Sequence, residues 1–145
     1  MSINALMSRD LVTIDLDDTL ATIREIFEQV TFHHILVIEN KKLVGVVSDR
    51  DFFKSVGPRL GTSIETERDK LPLNRKVHQV MNRKLICVNE QASVIDVVNC
   101  FHNNRVSCVP VIDNNGCPIG IISWRDIVDA LAKKMMKNGT PVSRC

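Results

Sequence analysis

Gly45-Val46-Val47-Ser48-Asp49-Arg50-Asp51 returns downstream as Gly120-Ile121-Ile122-Ser123-Trp124-Arg125-Asp126. Each stretch is an apolar run of the kind that forms a buried strand, entering a helix through a Ser-x-Arg-Asp turn. A turn used twice points to a duplicated unit. Laid on itself, the sequence matches outward in both directions, Ile3 to Asn40 on Val77 to Asn114 and Val44 to Ser55 on Ile119 to Ala130. Of those 50 positions, 11 are identical, and a further 11 exchange one aliphatic for another, as at Leu6/Val80, Val12/Ile86, Ile23/Val97 and Ile35/Val109. The shared property is a pattern of burial, the mark of an internal repeat.

Each copy opens with a short turn, Leu6-Met7 or Val80-Met81, and then an alternating strand, Val12-Thr13-Ile14 or Ile86-Cys87-Val88. A helix follows. Leu20, Ile23, Ile26, Phe27 and Val30 recur at helical spacing in copy 1, and Val94, Val97, Val98 and Phe101 do so in copy 2. Asp17 to Thr19 and Ser93-x-x-Asp96 supply the starts. Two apolar runs come next, Ile35 to Ile38 with Leu43 to Val47, and Val109 to Ile112 with Ile119 to Ile122. Asn40-Lys41-Lys42 and Asp113-Asn114-Asn115-Gly116 join them as hairpin turns. The closing helix runs from Asp49 to about Val56, or from Trp124 to about Met136.

The order is strand, helix, strand, strand, helix, twice, which gives an α+β fold. Copy 1 spans residues 1–56, a connector 57–76, copy 2 residues 77–136, and 137–145 form a frayed tail. In the connector, Thr62-Ser63-Ile64-Glu65 has the spacing of a capping box and predicts a short helix that Pro72 ends or interrupts.

At 145 residues the chain suits one ordinary domain or two very small ones. A copy of about 50 residues buries too little apolar surface to stand comfortably alone, so the halves are expected to share a core. With 44% hydrophobic residues, 25% charged residues and a net charge of +2, no large field favours nucleic acid or membrane. The basic residues Arg68, Lys70, Arg75, Lys76, Arg83 and Lys84 lack interleaved aromatics, which weakens a nucleic-acid reading further. No run approaches 18 apolar residues, and Met1 leads directly into copy 1 without room for a leader, so a cytoplasmic location is expected. Five cysteines, odd in number and without a CxxC pair, argue against a disulfide framework or a zinc site. Cys100 and Cys108 match Ile26 and His34 of the first copy and read as small core thiols.

The Ser-x-Arg-Asp turn supports two readings. Ser48 three residues before Asp51 is the spacing of a helix cap in which each residue bonds the other's backbone N–H. A helix start is also an anion site, Arg50 and Arg125 add a cation there in both copies, and a carboxylate suits the two hydroxyls of a ribose. Phosphate near the helix end with ribose on the Asp describes a nucleotide.

Two copies in this order, the second strand Val109-Pro110-Val111-Ile112-Asp113 and the closing Gly120-Ile121-Ile122-Ser123-Trp124-Arg125-Asp126 resemble the CBS domain, named after cystathionine β-synthase. The resemblance covers nearly the whole chain. It implies a tandem pair, or Bateman module: two β-α-β-β-α repeats packed with pseudo-two-fold symmetry through their sheets, often dimerising into a disc. Such pairs typically bind AMP, ADP, ATP, S-adenosylmethionine or NAD in clefts between the repeats. Carried over residue by residue, Asp51 and Asp126 hold ribose hydroxyls, with Ser48 and Ser123 beside the ribose or phosphate. Val12, Thr13 and Ile35, and in copy 2 Ile86, Cys87 and Val109, flank the adenine. His33-His34 and Ser107-Cys108 match positions that face phosphate in some members, and Leu36 stands where the family usually has the Pro seen at Pro110. Histidines donate to phosphate better than Ser107-Cys108, so copy 1 is the expected phosphate site.

The resulting expectation is a regulatory sensor of an adenosyl nucleotide, acting as a homodimer or on a separate regulated protein, with Trp124 as a dimer contact. The competing class is an interaction module whose turns are only caps. Catalysis finds little footing, because His33, His34, His78 and His102 stand without a nucleophile-base pattern or metal-ligand spacing.

Overall fold

The computed structural model describes residues 2–29 and 33–137. Copy 1 contributes helix α1 (Ile3–Leu6), strand β1 (Thr13–Asp15), helix α2 (Leu20–Gln29), strands β2 (His34–Glu39) and β3 (Lys42–Ser48), and helix α3 (Asp49–Ser55). Copy 2 contributes β4 (Val88–Asn89), α4 (Val94–Asn103), β5 (Cys108–Ile112), β6 (Pro118–Ser123) and α5 (Trp124–Lys137). The strands form two three-stranded sheets, β1-β2-β3 and β4-β5-β6, in which the first pair is parallel and the second antiparallel. Val30 of the expected helix stripe, and the tail beyond Lys137 with Cys145, lie outside the described residues.

The middle strand of each sheet is covered on both faces, which is why it reads as a continuous apolar run: Ile35, Leu36 and Val37, or Cys108, Val109, Pro110 and Val111, are buried in succession. Strand β3 alternates instead, with Leu43, Gly45 and Val47 inward. Its hairpin with β2 turns through Asn40 and Lys41, whose φ of 51° and 67° give the paired left-handed geometry that matches strand twist.

The buried residues fall in two clusters, and the segments that build each come from both copies, so the copies share their cores. One compact unit is Leu11–Leu85, and the other joins the stretch through Asp10 to the chain from Ile86 onward. Ile3 and Met7, which open copy 1, are buried with Val97, Val109, Val111 and Ile122 of copy 2. Val77 and Met81, which open copy 2, are buried with Ile23, Ile35, Val47 and Phe52 of copy 1. Each copy is too small to complete its own core, and an exchange of opening segments supplies the missing apolar surface.

The exchange is fixed by backbone pairing beside a glycine. Ser8 and Ile121 trade N–H···O bonds of 2.9 Å in both directions, and Asn82 and Val46 do the same at 2.9 and 3.1 Å. A Cβ at Gly45 would lie 2.5 Å from Met81 Sδ and 3.2 Å from the Asn82 carbonyl oxygen. One at Gly120 would meet Met7 along its length, 2.9 Å from Cγ and 3.1 Å from Cβ. The glycine that starts each repeated heptapeptide thus admits the crossing segment.

Two local expectations need correction. The opening strand of copy 2 is Val88–Asn89, leaving Ile86 and Cys87 ahead of it. In copy 1, the Leu36 N–H donates to the Val12 carbonyl at 2.9 Å, ahead of the Thr13↔Leu36 pair. Pro110 stands in the place of Leu36 and has no N–H to give, so the parallel ladder begins later, at Val88↔Val111. In the connector, the helix starts at Thr66-x-x-Asp69 rather than at Thr62-x-x-Glu65. It is a 3₁₀ helix, Glu67–Asn74, that contains Pro72. Glu65 is drawn to Arg24 of α2, 3.5 Å away, and the Asp69 carboxylate accepts the Thr66 N–H at 2.8 Å.

Candidate functional site

The predicted residues of copy 1 gather at one end of the β1-β2-β3 sheet. Pairing of Thr13 with Leu36 and of His34 with Ser48 brings the starts of β1 and β2 beside the end of β3. The chain leaves β3 into α3 through a complete capping box: the Asp51 N–H donates to Ser48 Oγ at 3.0 Å, and the Ser48 N–H donates to Asp51 Oδ2 at 3.0 Å. The Asp49 N–H closes the corner on the His33 carbonyl at 2.9 Å.

Copy 2 repeats this corner at the end of β4-β5-β6. Cys108 pairs with Ser123, the Trp124 N–H donates to the Ser107 carbonyl at 3.3 Å, and the Ser123–Asp126 box closes at 2.8 and 3.2 Å. Here the Ser123 hydroxyl also donates to Asp126 Oδ2 at 3.0 Å. The capping reading is therefore correct in both copies. It does not exhaust the carboxylates, because among the described residues no hydrogen bond reaches Oδ1 of Asp51 or Asp126. Both aspartates are half-buried, so each carries an acceptor toward solvent from a held position.

The other predicted residues divide by exposure. Ile35 and Val109 are fully buried, backbone included, and lie beneath the surface that a ligand would touch. Val12, Ile86 and Cys87 are half-buried, while Thr13 and Ser107 are exposed. Arg50 and Arg125 extend into solvent at matching places. His33 is exposed and His34 half-buried. Burial pushes the His34 pKa below its ordinary value, with His33 acting in the same direction and the Asp49 and Asp51 carboxylates opposing. Burial pushes the Cys108 thiol up to about 12, and the Cys87 thiol is raised by burial and then by Cys100. Both remain neutral thiols near pH 7, and the four described cysteines are free.

One residue at this corner escaped the sequence reading. Asp49 Oδ2 lies 3.0 Å from His33 Nδ1, and its Oδ1 accepts the Arg50 N–H at 2.7 Å. The signal was present, since a carboxylate follows the strand at the place that pairs back toward the two histidines, but helix-cap spacing drew the reading to Asp51. Asp49 also borders an open depression of about 450 Å³ along α3, with Arg50, Phe53 and Lys54. Ser48 and Asp51 do not line it. Among the described residues, no group of three or more His, Cys, Asp or Glu is placed to hold a metal ion, and no helix is long and apolar enough to cross a membrane.

Two helix-bearing repeats, each with a three-stranded sheet and the same capped exit from its last strand, define a tandem CBS architecture. The family model of the CBS domain matches the chain twice, over residues 3–57 and 77–133, and the chain belongs to that family. A CBS domain-containing protein of Dictyostelium discoideum is 29% identical over 133 residues, covering 90% of this chain and 91% of that protein. Several other relatives are longer, and the chain spans 21% to 45% of their length. Among solved structures, a CBS domain pair in complex with 5′-methylthioadenosine and S-adenosyl-L-methionine superposes with a TM-score of 0.73 at 20% identity, covering 92% of this chain and 98% of that one. The cytosolic domain of the Mg2+ channel MgtE in complex with ATP gives 0.72 at 21% identity, covering 89% and 48%. At those identities the likeness establishes the fold.

Proposed function

We propose that this CBS-domain pair is a regulatory module, not a catalyst, that binds an adenosine-containing ligand at the capped corner of each unit. The ribose hydroxyls lie on Asp51 and Asp126, Ser48 and Ser123 stand beside them, and Val12 with Thr13, or Ile86 with Cys87, flanks the base. The observation that carries this reading is the pair of half-buried carboxylates, each fixed through Oδ2 by its own cap and left with Oδ1 open. A cap alone needs one oxygen, and the two lone pairs of the other remain to accept from ribose hydroxyls. Solved pairs of the same fold carry S-adenosyl-L-methionine with 5′-methylthioadenosine, or ATP, which supports an adenosyl ligand without choosing one.

A second reading, an interaction module with idle corners, draws on a different observation. Trp124, Val128, Leu131 and Met135 are 52%, 48%, 55% and 52% exposed and follow one another at spacings of four, three and four along α5. That is one stripe of a helix left apolar in solvent. A homodimer or a regulated protein on this stripe is compatible with ligand binding and supplies its output.

Thermal unfolding with AMP, ADP, ATP, NAD, S-adenosylmethionine and a GDP control separates the readings. A ligand at 100 times its dissociation constant adds about 2.7 kcal/mol. A rise with an adenosyl compound that is absent with GDP supports the sensor, and no rise with any of them leaves the interaction module.

A further inference from the structure

The two corners are built alike and differ in charge. In copy 1, the Asp49 carboxylate reaches both the His33 ring and the Arg50 N–H, at 3.0 and 2.7 Å. Those are two donors of the kind that a phosphate on the ligand would use. In copy 2, Trp124 stands at the place of Asp49, and Ser107 at that of His33. Asp49 thus adds to the copy 1 corner a carboxylate that copy 2 lacks, and Lys54, which borders the same depression, stands where copy 2 has Asp129.

We infer that Asp49 is a specificity-determining residue: its carboxylate occupies the anion position of the copy 1 corner, so that this corner takes adenosyl ligands of low negative charge and disfavours polyphosphates. The inference rests on the adenosyl reading of the corners and reverses the expectation that the histidines make copy 1 the phosphate site. His33 is engaged by a resident carboxylate, and His34 is held toward its neutral form by burial. A triphosphate must displace Asp49 from both donors and then lie beside it. A neutral adenosyl compound displaces nothing. The copy 2 corner has no such occupant, because Trp124 stands at the place of Asp49.

Asp49→Asn tests this with little change of shape, because the amide oxygen can keep the Arg50 N–H and the amide nitrogen can donate to the ring in the tautomer that leaves Nδ1 unprotonated. Titrations with adenosine, AMP and ATP are made in an Asp126→Ala background, so that only copy 1 is read. The expected result is a rise in ATP affinity on the order of tenfold, a smaller rise for AMP and less than a twofold change for adenosine, since one like charge is removed. A merely structural role moves all three ligands together. The reciprocal Trp124→Asp substitution in an Asp51→Ala background is expected to weaken ATP relative to adenosine at copy 2. If adenosine binds but the ratio of ATP to adenosine affinity stays constant on Asp49→Asn, the inference is wrong while the adenosyl reading stands. If none of the three binds the unsubstituted protein, the adenosyl reading fails and this inference falls with it.

Discussion

Replacing Gly120 by Ala tests the exchanged opening segments at the point where they are most confined. The added methyl would sit 2.9 Å from Met7 Cγ and 3.1 Å from Met7 Cβ, against the 3.5–4.0 Å at which carbons pack best. The thioether end of Met7 can swing aside. Its Cβ cannot, because Ser8 next to it is bonded in both directions to Ile121. Overpacking of this kind costs about 1–3 kcal/mol. Met7→Ala removes a side chain that is 8% exposed and costs about 2–5 kcal/mol by leaving a cavity. In the double variant, the new methyl enters the room that Met7 Cγ and Sδ vacated and only the 3.1 Å approach to the retained Cβ remains, so the two losses do not fully add. A favourable coupling of about 1–2 kcal/mol is expected from urea unfolding of the four proteins followed by circular dichroism. Additivity within about 0.5 kcal/mol would show that the methyl does not meet the Met7 side chain beyond Cβ.

Two further outcomes follow from the titrating groups. Burial holds the His34 pKa below 6.5, so the fold favours the neutral ring, and the stability this gives is complete above pH 6.5 and lost as pH falls further. Melting temperatures from pH 7.5 to 5.5 should therefore fall more steeply for the parent than for His34→Gln, and parallel curves would exclude the effect. For Cys108, with its thiol pushed up to about 12, a pulse of iodoacetamide at pH 8 read by peptide mapping should label the native chain at least about a hundredfold more slowly than the urea-unfolded one. Equal labelling would place that side chain in solvent.

The fold was legible because a half-buried sheet and its helices leave periodic apolar patterns, and here each pattern is written twice. Ile35/Val109 and Ile23/Val97 are fully buried in the structure, as their shared aliphatic character required. The exchange of segments was not legible: Ile3, Met7, Val77 and Met81 announce that they are buried, but not against which copy. Pro110 carried the shortened ladder in plain sight, through the N–H it lacks. The cap at Ser48 and Asp51 was readable from spacing, because its bonds are local. Asp49 was not, since its partner His33 lies 16 residues away and is brought near only by the β2–β3 pairing.

The central claim is that Asp51 and Asp126 each hold a ligand, and equilibrium titration of adenosine tests it most directly by counting sites. The account predicts two sites per chain in the unsubstituted protein, one in Asp51→Ala, one in Asp126→Ala and none in the double variant, with all four folded by circular dichroism. Full occupancy retained in the double variant, or no binding to the unsubstituted protein, would contradict it.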